Sequence, residues 1–204
     1  MPTIWYAAQE PRRLAQFWSD LVGDDLAIPL RFFPIDEPRP GPNLAHLHLT
    51  SESQEHQDRT VARALELGAH HLDVGQKPEE GHIVLADPEG NEFCVIEPGN
   101  NYLAGTGFVG ELSCDGSRAT GLFYSAALGW PLVWDQNEET AIQSPQGGMK
   151  IAWGGPPQAP RLRPDRVLLE IEADPDRLLT LGATYENGEW SDPDGTRFRL
   201  TSRY

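Results

Sequence analysis

Only two of the 204 residues are cysteine, Cys94 and Cys114. That is too few for a disulfide framework, and no Cys-x-x-Cys pair offers a sequence-local metal site. No apolar run approaches the ~20 residues that cross a bilayer. Before Arg13 there is no basic segment followed by an apolar core, so no secretory signal is expected and a cytoplasmic location is the default. Positive charge is also scarce: 16 Lys and Arg face 31 Asp and Glu, leaving a net charge of −15. Such a surface repels phosphate and anionic lipid, which argues against nucleic acid and membrane as partners. It suits a neutral or cationic small molecule, and it also keeps the chain soluble. A Gly-x-Ser-x-Gly elbow and a Walker loop are both missing, and no dinucleotide site is expected.

What is present is a repeat. Asp87-Pro88-Glu89-Gly90-Asn91-Glu92-Phe93-Cys94-Val95 returns as Asp192-Pro193-Asp194-Gly195-Thr196-Arg197-Phe198-Arg199-Leu200. Phe17-Trp18-Ser19-Asp20-Leu21-Val22-Gly23 returns as Phe123-Tyr124-Ser125-Ala126-Ala127-Leu128-Gly129, and Leu65-Glu66-Leu67-Gly68-Ala69 as Leu179-Thr180-Leu181-Gly182-Ala183. The order is kept and the offset drifts, so the copies differ by insertions and deletions. Leu14, Phe17, Trp18, Leu21 and Val22 fall at helical spacing, with Pro11 in the first turn and Gly23 at the stop. In copy two, Leu122, Phe123, Ala126 and Ala127 carry the stripe. A second helix precedes each Leu-Gly-Ala, with Val61, Ala64, Leu65 and Leu67 in copy one and Leu178, Leu179 and Leu181 in copy two. Each Asp-Pro-x-Gly is a turn joining short strands, such as His82–Ala86 and Glu92–Ile96. Gly147-Gly148 reads as a hairpin between Glu139–Ser144 and Met149–Trp153. Pro38-Arg39-Pro40-Gly41-Pro42 reads as an irregular connector, and little chain lies between Gly23 and Asn43, so the first module is shortened. The expected domains are 1–98 and 108–204.

The aromatic helix ending in Gly, the Ala45-His46-Leu47-His48-Leu49 strand, the Leu-Gly-Ala helix end and Asp-Pro-Glu-Gly-Asn-Glu-Phe-Cys-Val together resemble the glyoxalase-like branch of the vicinal oxygen chelate superfamily. The resemblance covers nearly the whole chain, twice. It implies an α+β fold of tandem βαβββ modules whose curled mixed sheets form an open cleft. It also implies several trades: isomerase, dioxygenase, thiol transferase or bleomycin-sequestering protein. Fold does not choose among them. A tandem duplication can pair its modules within one chain, which favours a monomer or a loose homodimer.

Side chains on a strand alternate between faces. Leu47 and Leu49 should pack on helices, which turns His46 and His48 toward the cleft. Phe93 and Val95 take the helix side of their strand, and Cys94 the other, with His82 alongside. The family's metal ligands are a His on the first strand, a residue on the strand opening the next module and a Glu on the last strand. Here no His stands at Thr3 to Trp5, His46 takes the second position, and Cys94 stands where the Glu belongs. In copy two, Leu168 replaces His46, Glu170 replaces His48, and Arg199 replaces the Glu and opposes a cation. Glu111, Glu170 and Arg199 are expected to form a polar cluster. Trp5 and Trp153, on strands, are the aromatics expected to line the cleft, whereas Trp18 and Trp130 read as structural. His70 and His71 read as surface residues, and His56 as exposed.

The expected ligand-binding set is therefore Trp5, His46, His48, Cys94, Glu111, Trp153, Glu170 and Arg199, with the active cleft in copy one. Without the usual triad no cofactor is expected, and the chain is expected to bind a small organic molecule, cationic or aromatic. The alternative is a divalent-metal-dependent lyase, isomerase or dioxygenase using His46 and His48. A His/His/Cys set suits a borderline ion such as zinc. A ligand-free structural module is the third reading.

Overall fold

The structure is a computed structural model that describes residues 1–23, 26–37, 39–77, 79–162 and 164–201. It contains four modules in chain order. The first is β1 (Thr3–Ala8), α1 (Pro11–Val22) and β2 (Leu30–Pro34). The second is β3 (Ala45–Leu49), α2 (Gln54–Glu66), β4 (His70–His71), β5 (Ile83–Ala86) and β6 (Glu92–Val95). The third is β7 (Val109–Cys114), α3 (Arg118–Leu128), β8 (Leu132–Gln136), β9 (Glu139–Gln143) and β10 (Lys150–Trp153). The fourth is β11 (Val167–Glu172), α4 (Pro175–Thr180), β12 (Thr184–Glu186), β13 (Glu189–Ser191) and β14 (Arg197–Thr201). Among the described residues the first module has two strands where each of the others has four. Arg39 to Pro42 is irregular, and Pro38 lies outside the described residues.

The strands form two mixed sheets. The larger runs β4-β5-β6-β3-β7-β10-β9-β8, and the smaller β12-β13-β14-β11-β1-β2. The seam of the larger sheet is antiparallel, β3 on β7, with Leu47 opposite Leu112. The seam of the smaller is β1 on β11, with Ile4 opposite Leu169. The second and third modules thus share one sheet, and the first and fourth share the other. Module pairing is satisfied within the chain. The copy boundary therefore runs down the middle of each sheet.

Each copy is locked by its Asp-Pro-x-Gly turn. Asp87, fully buried, accepts from Trp18 Nε1 at 3.2 Å and from the Asn91 side chain at 2.9 Å, besides the Glu89 and Asn91 amides. Its counterpart Asp192 accepts from the Thr196 and Asp194 amides at 2.9 and 3.0 Å and from the Tyr124 hydroxyl at 3.5 Å. The acidic third residue of the turn caps the partner helix. Glu89 accepts from the Gln9 and Glu10 amides before α1, both at 2.7 Å, and Asp194 accepts from the Ser117 amide at 2.6 Å before α3. These contacts satisfy helix-start amides that α1 has no side-chain cap to satisfy. Gly68 and Gly182 end their helices at φ +106° and +105°, each 3.6 Å from the proline of its turn once a Cβ is added. That backbone is left-handed and favours glycine.

Leu47, Leu49, Phe93 and Trp18 are buried beneath the larger sheet, with Trp18 edge-on to Phe93 at 5.2 Å. Burying each contributes roughly 2–3 kcal/mol. Gly105-Thr106-Gly107-Phe108-Val109-Gly110 has the spacing of a dinucleotide glycine fingerprint. It leads into β7, however, and does not join a strand to a helix, so it lacks the geometry that would cradle a pyrophosphate. No helix among the described residues is long and apolar enough to cross a membrane.

Candidate functional site

Register brings one residue from each of four strands into a single row across the larger sheet. Cys94 on β6 lies opposite His48 on β3, His48 opposite Glu111 on β7, and Glu111 opposite Lys150 on β10. His46 stands two residues along β3 on the same face, because the leucines between and beyond it take the core side.

The imidazoles of His46 and His48 meet through their Nε2 atoms at 3.0 Å. The other nitrogen of His48, Nδ1, lies 2.9 Å from Glu111 Oε2. Tyr102 donates its hydroxyl to Glu111 Oε1 at 2.6 Å. Lys150 stands over the Tyr102 ring, 3.9 Å from its centre, and donates to the Tyr102 carbonyl. Ligand atoms of His46, His48 and Cys94 all lie within 4.8 Å of one another.

The environment divides the two histidines. Burial, and then the nearby His48 and His82, push His46 down to about 3, so it is a neutral imidazole, with Nε2 facing His48. Burial also opposes the His48 cation, but hydrogen bonding and charge from Cys94 and Glu111 outweigh it and hold His48 at about 9. Burial, then Glu111, raises Tyr102, which remains a phenol donor. Burial lowers Lys150, and Glu111 works against that.

His46 and Cys94 form part of the wall of a cleft of about 770 Å³. Leu72, Val74 and Val84 give it apolar surface, and Arg39, His82 and Glu92 give it polar groups. Arg39 is tied to Glu92 and to the Gly90 carbonyl, which fixes that rim.

The sequence-predicted residues therefore divide. His46, His48, Cys94 and Glu111 come together. Glu111 does not join Glu170 and Arg199 as expected, because its strand sits beside β3 while theirs lie in the smaller sheet. Glu170 and Arg199 line a cleft on the smaller sheet, and Trp5 shares their face, its ring centre 4.4 Å from the Arg199 guanidinium. Trp153 is not in a cleft. It is 3% exposed and stacks on Tyr124 at 5.1 Å, because Ile151 and Trp153 take the helix side of β10 and leave Lys150 on the other. Trp18 is buried and Trp130 packs against the core. His70 and His71 are exposed, whereas His56 is half-buried and stacks on Phe108. Lys150 and Tyr102 were missed. The alternation of Lys150-Ile151-Ala152-Trp153 carried the signal for the lysine. Tyr102 lies between the copies, where no periodicity marks it.

Residues 3–96 and 110–201 each match the family model described as a glyoxalase-like domain. The chain belongs to the glyoxalase-like family. The fold of this glyoxalase-like chain, two curled mixed sheets with few helices, is that of the vicinal oxygen chelate superfamily. It is similar to glyoxalase I from Zea mays, with a TM-score of 0.65 at 11% identity over 99% of this chain and 92% of that one. It is also similar to a putative dioxygenase from Bacillus subtilis subsp. subtilis str. 168, with a TM-score of 0.59 at 12% identity over 98% and 84%. At such identities the likeness is one of fold. Among curated proteins none matches the sequence significantly.

Proposed function

We propose that the glyoxalase-like chain binds a small organic molecule in the larger-sheet cleft, and that His46, His48 and Cys94 hold a divalent metal of borderline softness at its floor. One observation carries this reading: the convergence of two imidazole nitrogens and a thiol within 4.8 Å of one another at a cleft wall. The residues fit such an ion. Two nitrogens and a sulfur are the donor types of zinc sites. The far nitrogen of His48 rests on Glu111, the usual arrangement by which a carboxylate orients a ligating imidazole. The set is not the oxygen-rich one of the family pattern, and Cys94 supplies the departure.

When bound, the ion supplies Lewis-acid polarisation of a ligand oxygen, so a lyase or isomerase reaction is favoured over dioxygenase chemistry. The chain's own groups do the rest. Glu111 orients the His48 ring through Nδ1, and Tyr102 holds Glu111 in place. Arg39 and His82 are placed to meet polar atoms of the molecule, while Leu72, Val74 and Val84 exclude water from its apolar part. The rival reading is a metal-free site in which Glu111, His48 and His46 form a proton relay, and the 3.0 Å contact between the two Nε2 atoms favours it.

Elemental analysis of the purified protein, before and after zinc loading and desalting, separates them. About one ion per chain, lost in His46→Ala and in Cys94→Ser, is the expected result. If wild type retains no more metal than His46→Ala, the metal reading fails and the relay stands.

A further inference from the structure

The smaller sheet carries a cleft of about 650 Å³, lined by Phe33, Leu168, Glu170, Arg199 and others. Nothing in the reading of the larger-sheet site uses it. Its floor is chemically unlike the other. Glu170 on β11 and Arg199 on β14 are register partners on adjacent strands, both facing the cleft and both half-buried. Strands of a sheet lie about 4.8 Å apart. Yet among the described residues neither side chain has a hydrogen-bond or ion-pair partner. The other arginine of that strand does, since Arg197 pairs with Glu189.

Arg199 is held away from Glu170 by aromatic rings. Its guanidinium lies 4.4 Å from the centre of Trp5 and 4.3 Å from that of Phe33. Those contacts engage the flat cation and hold it in position. Its N–H groups, which recognise carboxylates in bidentate fashion, carry no hydrogen bond among the described residues. A half-buried cation and a half-buried anion side by side, each without a hydrogen-bond or ion-pair partner among the described residues, are complementary to a ligand bearing the opposite pair at similar spacing. Phe33 and Leu168, on the same face as the two charges, give the cleft apolar surface, whereas Trp190 pairs with Phe198 and packs on the helix side. A purely anionic ligand would meet Glu170, and a purely cationic one would meet Arg199.

We propose that this second cleft binds a small zwitterion with an apolar body, of the apolar α-amino acid class. Arg199 takes the carboxylate, Glu170 the ammonium, and Phe33 and Leu168 the apolar side chain. The site is independent of the larger-sheet cleft and of any metal there.

The test is calorimetric titration with three probes of equal skeleton, L-phenylalanine, 3-phenylpropionate and phenethylamine, with tryptophan fluorescence as a second readout. Phenylalanine is expected to bind at least about tenfold more tightly than either singly charged probe, as a charge-assisted hydrogen-bonded pair is worth. Arg199→Met keeps the length and the stacking surface and should weaken phenylalanine by a similar factor while the melting curve is kept. Leu168→Trp, which fills the cleft and leaves both charges in place, should abolish binding. His46→Ala should leave it unchanged. Equal binding of a singly charged probe, binding unaltered in Arg199→Met or in Leu168→Trp, loss of binding in His46→Ala, or no binding of phenylalanine at all would each overturn the proposal.

Discussion

Across the middle of the larger sheet the facing row reads Cys94, His48, Glu111, Lys150; across the smaller it reads Arg199, Glu170, Thr3, and then meets the end of β2. Beneath the two rows the supports are nearly the same. An aromatic residue of the first helix of each copy, Trp18 or Tyr124, donates to the buried aspartate of the turn. An acid two residues later caps the start of that helix. The difference shows where this chain tolerates change. Groups that hold module to module are kept, while groups that point into the clefts have diverged from metal-type donors to an arginine and a glutamate. The shorter first module widens the contrast, because it leaves β2 as the edge of the smaller sheet.

Disrupting the shared support should have the largest effect. Asp87→Ala strands the Trp18 and Asn91 donors and two amides in a buried place, at a cost on the order of 3–5 kcal/mol in urea unfolding. The same change at Asp192 should cost less, since its aromatic donor stands 3.5 Å away. The second test sharpens the contrast between the turns. Burial above all raises Asp192 to about 6. The folded chain therefore keeps a proton between about pH 4 and 6 that the unfolded chain has released. The stability from this group is complete below about pH 4 and is lost as pH rises through 6. Asp192→Asn should remove that dependence, so stability relative to wild type should change by about 3 kcal/mol between pH 4 and 7. Next comes the donor row. Glu111→Gln keeps a hydrogen-bond acceptor but removes the charge behind His48, and zinc affinity in a chelator competition should fall roughly ten- to a hundredfold. Glu170→Gln, its opposite number in the smaller sheet, should leave zinc affinity alone. The smallest effect belongs outside both clefts. Arg118→Ala breaks an exposed pair with Asp135 and should not move the unfolding midpoint measurably.

Much of the scaffold was legible because it is written in local chemistry. Proline at a helix start, glycine at a left-handed stop and Asp-Pro-x-Gly at a tight turn each act within a few residues. Their recurrence in fixed order exposed the duplication. The cleft was half legible. Alternation turned His46 and His48 together, but alternation says nothing about which strand lies alongside. That Glu111 belongs with His48 depends on the pairing of β3 with β7, a contact between copies. Trp153 was placed in a cleft for being aromatic and on a strand. Its own neighbours argue otherwise, since Ile151 shares its face and sits in the core. Tyr102 reaches Glu111 from an irregular stretch, where neither period applies.

The interleaving of the modules also has a consequence in time. Every strand of the larger sheet lies between residues 45 and 153, whereas the smaller sheet joins Thr3 to Glu170 and ends at Thr201. Closing so long a loop is slow and must wait for distant chain. A growing chain can thus complete the histidine cleft while β1 is still without its partner, and the arginine cleft is the last part of the molecule to come into being.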